Sequence, residues 1–246
     1  MLLKHRSIFI LLIILSLSLL LPRASVAAPA PSMTILSPGE GSVLASPIPV
    51  SAVVQPGADG LIRITLTDEN NRVISRQLLQ LNAAENKEIT LDSQILYETP
   101  YPGLEGLLTL TTQDEHHRPL AQRSVLVILD DSGEVQLQPN PASGQWLDIR
   151  SPEPDASING GSFTVQGTIT PVTAKPVLFE LISDSGGQIG SAQLAVGQPG
   201  ETVPFEITLS YGFITTARDV RLVIRQTMDD YAANVILDSI PLTLAP

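Results

Sequence analysis

The stretch ILSPGEGSVLASPIPV, residues 35–50, and its weaker echo IRSPEPDASINGGSFTV, residues 149–165, decide how this chain is read. Each opens with Ser-Pro, passes through a Gly- or Asn-rich turn and runs into apolar alternation. Proline cannot donate to a sheet ladder, and it pushes its predecessor into extended geometry. Pro38 is therefore expected to end a strand, GEGS to turn, and Ser46-Pro47 to restart extended chain at a sheet edge. Prolines placed there also discourage edge-to-edge pairing.

Further matches follow in the same order. PVSAVV from Pro49 stands against TVQGTI from Thr164, and TDENNRVIS from Thr67 against SDSGGQIGS from Ser183. EITL occurs at Glu88–Leu91 and again at Glu206–Leu209, and SVLVIL from Ser124 stands against SIPLTL from Ser239. All the offsets lie between 114 and 118, so the chain is a duplication. Each copy carries about seven short apolar segments separated by turn signals, the pattern of an antiparallel β-sandwich. The expected fold is all-β: two tandem immunoglobulin-like antiparallel β-sandwiches behind an N-terminal signal peptide. Ile62, Ile64 and Leu66 alternate with Arg63, Thr65 and Thr67, giving one core face and one wet face. The segment Val177–Ser183 is apolar on both faces; its phase stays open and admits a bulge at Phe179 and Glu180. The best helical candidate, residues 81–88, is short and polar.

Residues 1–27 read as the signal peptide: a basic start, the uncharged run Ile8–Leu21, Pro22, and small residues at Ser25 and Ala27. The domain reading continues with sandwich 1 over 32–130, a Pro- and Gly-containing linker over 131–145, and sandwich 2 over 146–246. Within the linker, EVQLQP is able to add a last strand to the first sandwich. A linker this short favours two modules with limited hinge freedom. Loss of Lys4, Arg6 and Arg23 with the leader takes the formal charge from −11 to −14. So acidic a chain is a poor ligand for nucleic acid or for an anionic membrane surface. The absence of cysteine removes disulfides and thiolate metal sites.

The run SPGEGSVLASPIPVSA, followed by an acidic residue opening the turn TDENNRV, resembles the immunoglobulin-like domain of bacterial spore-germination and related envelope proteins. The second copy matches more loosely, since SPEPDASINGGSFTVQGT lacks the second Ser-Pro. The resemblance implies an exported accessory β-sandwich, adhesive or assembling in role, and it transfers no catalytic residue.

The chemistry-bearing residues are few. There is no G-x-S-x-G elbow and no phosphate loop, so enzymatic activity is not expected. His116 and His117 sit in TQDEHHRP, where Asp114 and Glu115 invite a metal, but a four-residue polar hairpin tip is ordinarily a solvated loop. No cofactor is expected; a weak surface zinc or nickel at that hairpin ranks below calcium, whose candidates are Asp68–Asn70, Asp130-Asp131 and Asp229-Asp230. Asp68 and Asp184 read instead as turn-formers bonded to local N–H groups. Tyr97 and Tyr101 in LYETPYPG, with Tyr211 and Trp146, are the aromatics able to stack on a sugar. The expected role is a non-catalytic binding, assembly or spacer protein, secreted or in the cell envelope, with a protein or polysaccharide partner. Tyr97, Tyr101, His116 and His117 are the first contact candidates. Carbohydrate binding through aromatic loops is the alternative.

Overall fold

The computed structural model describes residues 33–81, 87–99, 101–131, 134–140, 145–229 and 231–246. The expected signal peptide and most of the helical candidate at 81–88 lie outside these. Among the described residues there is no helix, and sixteen strands are present.

The strands repeat one plan twice. In the first half, β1 (Met33–Ser37), β3 (Ile48–Val54) and β6 (Ile89–Ile95) form a sheet in the order β1-β3-β6. Facing it, β5 (Val73–Gln80), β4 (Leu61–Asp68), β7 (Leu104–Gln113) and β8 (Pro119–Leu129) follow one another, and β2 (Ser42–Leu44) runs parallel to β8. In the second half, β9 (Leu147–Ser151), β11 (Ser162–Ile169) and β14 (Val203–Ser210) form the small sheet. The larger one comprises β13 (Gln188–Leu194), β12 (Val177–Ser183), β15 (Arg218–Thr227) and β16 (Asn234–Leu244), with β10 (Ala156–Ile158) parallel to β16. These are two immunoglobulin-like antiparallel sandwiches. Between the layers of the first, Ile48, Ile62, Ile64, Leu66, Leu108 and Leu110 are fully buried; Phe179, Leu181, Ile169, Leu222 and Ile224 fill the second. Burial of each such side chain contributes about 1.5–3 kcal/mol, in line with the period-2 pattern that exposes the alternate residues.

The Ser-Pro stretches mark where the chain changes sheets. Pro38 and Pro152, both preceded by cis peptide bonds, separate β1 from β2 and β9 from β10. Two expectations are corrected here. GEGSVL is more than a turn, because Ser42–Leu44 pairs with Val127–Leu129. And Ser46-Pro47 does not lead into an edge strand: β3 lies between β1 and β6. Pro49 is tolerated in β3 because β1 pairs only with residues 51–54, which leaves β6 alone beside Pro49. The alternation of β12 is regular, with Phe179 inward; its bulge falls at Leu181/Ile182, against β13. In the segment read as linker, Gln136 exchanges both backbone bonds with Val43, and the Asn140 amide donates to the Ile35 carbonyl.

The edges of the long sheet are guarded. The Ser75 hydroxyl donates to the Leu96 carbonyl, and Gly190 lies so near Ser210 that a Cβ would meet its carbonyl oxygen at 2.6 Å. Both outer strands thus turn against the opposite sheet, which hinders strand addition there.

The candidate functional site at the module junction

The two large sheets are one. β8 pairs antiparallel with β16 through Arg123↔Ile236, Gln122↔Leu237 and Ala121↔Asp238. Pro119–Leu129 and Asn234–Leu244 are equivalent strands 115 positions apart, so Gln122 faces its own equivalent. The pairing is therefore centred on a pseudo-two-fold axis. Residues directly opposite in an antiparallel ladder share a face. Arg123 has the parity of inward Val125 and Val127, and Ile236 that of inward Ile240 and Leu242, so both cores lie on one side of the joined sheet.

The side chains obey the same axis. The Ser124 hydroxyl donates to the Asn234 carbonyl (2.8 Å), and its equivalent Ser239 donates to the Pro119 carbonyl (2.9 Å). Arg123 and Asp238 occupy equivalent positions and pair bidentately at 3.0 and 2.9 Å. The Trp146 indole N–H also donates to Asp238. Burial pushes the Asp238 carboxyl above the ordinary carboxylate range, against the pull of Arg123 and Trp146. Each sandwich extends its last hairpin over the other: the Tyr231 hydroxyl bonds Glu105, and Arg118 Nη1 donates to the Asp219 carbonyl (3.4 Å).

On either side of the axis lies a notch. One is closed. Asp114 Oδ1 accepts the N–H groups of His116 and Arg118, while Oδ2 accepts Arg118 Nε at 2.7 Å. Arg221 Nε donates to the Ser239 hydroxyl (3.0 Å), and Arg221 Nη1 stands 3.7 Å from Asp114. Burial pulls Arg221 down to about 10, opposed by the negative charge of Asp114. The other notch is a cleft of about 340 Å³. Its wall includes Ile35, Val125, Met228 and Val235, and Glu40 and Asp229 are among its polar groups.

Of the residues singled out from sequence, Tyr97 is 5% exposed, and its hydroxyl donates to the Leu44 carbonyl at 2.5 Å. Burial raises its pKa far above the usual phenol value, with Asp131 adding to the rise. Its ring braces the end of the first core and is not presented for contact. Tyr211, at the matching place in the second copy, is also buried, with its N–H on the Gly161 carbonyl, as is Trp146. Tyr101 is 52% exposed, and Phe213, which sequence reasoning missed, is 90% exposed. His116 and His117 are exposed, but their hairpin is anchored by Asp114 and Arg118 against the second sandwich. Of the calcium candidates, Asp68 accepts the N–H groups of Asn70 and Arg72, and Asp131 accepts the Ser46 N–H. Asp184 accepts its neighbour's N–H, and Ser183 closes that hairpin. Asp230 lies outside the described residues. Among the described residues, no three histidines or carboxylates converge as a metal site. The cleft escapes sequence reasoning because it exists only where two distant strands meet.

No family model matches the sequence, and no curated protein matches it. Solved structures are similar only at a distance. A red sea bream transglutaminase shares 12% identity, with 92% of this chain aligned to 34% of that one at a TM-score of 0.28. This chain thus spans about a third of the enzyme's length. The Salmonella enterica SafA pilin–SafB chaperone complex shares 11% identity over 87% of this chain and 96% of that one, at 0.27. A point mutant of the enterotoxigenic E. coli adhesin CfaE shares 10% over 90% and 85%, at 0.23. Likenesses at scores this low carry no argument about function.

Proposed function

We propose that the chain is an exported, non-catalytic binding and assembly protein of the cell envelope, and that the cleft at the module junction is its contact surface. In this reading residues 1–27 direct export, and residues 32–130 and 146–246 are the two modules. The observation that carries it is a recess walled by both sandwiches and fixed by β8–β16 pairing. Pre-formed concave sites of this size are where ligands and partner side chains are held. The polar groups there favour binding over turnover: the Ser124 hydroxyl is engaged with Asn234, and His116 and His117 belong to the hairpin at the opposite notch. Sugar stacking would fall to Tyr101 and Phe213, which stand on different modules.

The test is retention of envelope proteins and of cell-wall polysaccharide by the immobilised chain 28–246, beside a Val235→Trp variant that fills the cleft. Capture of a defined protein, lost in the variant, is the expected result. Undiminished capture by the variant would remove the cleft from the reading. Retention on polysaccharide that depends on Tyr101 would transfer the function to sugar binding, and turnover of any substrate would end the non-catalytic assignment.

A further inference from the structure

The two notches are equivalent by the pseudo-two-fold axis, and their contents differ. In the closed notch Asp114 stands 3.7 Å from Arg221 Nη1 and accepts Arg118 Nε at 2.7 Å, with Glu115 next to it in the hairpin. The hairpin bonds Asp114 N–H to Arg118 O and Met228 N–H to Ala233 O make Met228 the equivalent of Asp114 and Ala233 that of Arg118. Asp229 then corresponds to Glu115. The bonds Asp155 N–H to Pro241 O and Gly41 N–H to Leu126 O make Gly41 the equivalent of Asp155, with Glu40 next to it. Both Gly41 and Asp155 take the left-handed conformation that this turn requires, with φ of 73° and 63°. Arg221 in β15 corresponds to Leu107 in β7. The open cleft thus has acids at its rim, Asp229 in place of Glu115 and Glu40 beside Gly41, while Asp114, Asp155, Arg118 and Arg221 are replaced by Met228, Gly41, Ala233 and Leu107.

Arg123 reaches this cleft, but its charge is matched by Asp238. Glu40 and Asp229 enter no ion pair among the described residues. We propose that the open cleft takes an arginine side chain of a partner polypeptide, the guanidinium at Glu40 and Asp229 and the aliphatic stem along Val125, Met228 and Val235. The chain's own closed notch holds guanidinium groups by a carboxylate in a comparable recess, Asp114 on Arg118 and near Arg221. Arginine suits the open cleft better than lysine because a planar fork can engage two carboxylates together, and its stem packs on apolar wall.

This rests on the cleft being the contact surface, and the experiment separates the two. The ¹⁵N-labelled chain 28–246 is titrated with a blocked five-residue peptide bearing a central arginine, and with the same peptide bearing neutral citrulline. Saturable amide shifts at Glu40, Ser124–Leu126 and Met228–Ile236 are expected for arginine. Affinity should fall roughly tenfold for citrulline, as loss of two partly exposed ion pairs implies. The E40Q/D229N variant should bind both peptides alike. Ala233→Arg, which restores the missing cation from within, should abolish binding while the spectrum stays folded. Equal affinity for the two peptides, shifts centred elsewhere, or no saturation at about 10 mM peptide, a generous limit for so small a contact, would overturn the proposal. Should partner capture by the immobilised chain still be lost in Val235→Trp, the cleft would stand as contact surface with another occupant.

Discussion

Asp68 and Asp114 close their hairpins with the same contacts, in the pentapeptides DENNR and DEHHR. Each carboxylate accepts the N–H groups two and four residues on and the Nε of the terminal arginine, and Asn71 and His117 both take φ of 61°. His117 is therefore a turn residue in the left-handed region, where Asn and His are enriched. The two turns differ in surroundings. The Arg72 side chain is 78% exposed, whereas Arg118 and Asp114 are each 6% exposed with Arg221 close by. Asp114→Ala leaves two buried guanidinium groups without their carboxylate and should cost about 3–5 kcal/mol in chemical denaturation. Asp68→Ala should cost clearly less; equal losses would contradict the distinction. The Arg72 N–H, followed by the Arg72 side chain and the Asn70 N–H, holds Asp68 below its ordinary 3.8 despite an opposing effect of burial. A carboxyl depressed on folding stabilises the native state above its unfolded value, and that contribution disappears as pH falls through the folded value. The stability gap between the wild type and Asp68→Asn should accordingly be full above the unfolded value of 3.8 and narrow as pH falls below it through the lower folded value. A gap independent of pH would show that the charge is immaterial to the turn.

At the scale of the element, both copies carry the same irregularity before the sheet change. The ladder slips at Leu36 opposite Ser51 and Ala52, and at Arg150 opposite Gln166 and Gly167. Module 1 accepts a Cβ at Ala52, but one on Gly167 would meet the Asp148 carbonyl oxygen at 2.0 Å. Gly167→Ala should push β9 off β11 and destabilise by about 1–3 kcal/mol, the usual effect of overpacking. Ala52→Gly should cost about 1–2 kcal/mol, from chain entropy together with the loss of a fully buried methyl. A Gly167→Ala protein within about 0.5 kcal/mol of wild type would mean that β9 yields freely, against the usual stiffness of packed interiors. Seven strands per copy are legible in the sequence because each is an extended run of five residues or more bounded by turn signals. β2 and β10 are not: each is three residues long beside Gly and Pro, and becomes a strand only through parallel pairing with chain more than 80 residues away. Tyr97, Tyr211 and Trp146 read as contact residues because composition cannot tell an aromatic that caps a core from one that faces water.

At the scale of the molecule, strand pairing replaces the hinge expected of two linked modules. The signal for it is faint: Arg123 and Asp238 place opposite charges at equivalent positions of two otherwise apolar strands, and Ser124 and Ser239 follow them. Such residues read singly as edge protection, and only the 115-residue offset makes them a pair. Trp146, the chain's one tryptophan, lies on Asp238 and so reports on the junction. Wild-type unfolding followed by its fluorescence should coincide with far-ultraviolet circular dichroism, as a single cooperative unit requires. Asp238→Arg sets two guanidinium groups against each other and strands the indole N–H; Arg123→Asp sets carboxylate against carboxylate. Either should lower stability by about 3–5 kcal/mol and separate the two transitions. The combined R123D/D238R protein restores attraction across β8–β16 but leaves Trp146 facing a cation, so its recovery should be partial, with the fluorescence transition still the earlier. Additive losses in the double variant would mean that the pair does not couple the modules, and that backbone pairing of β8 with β16 alone holds them.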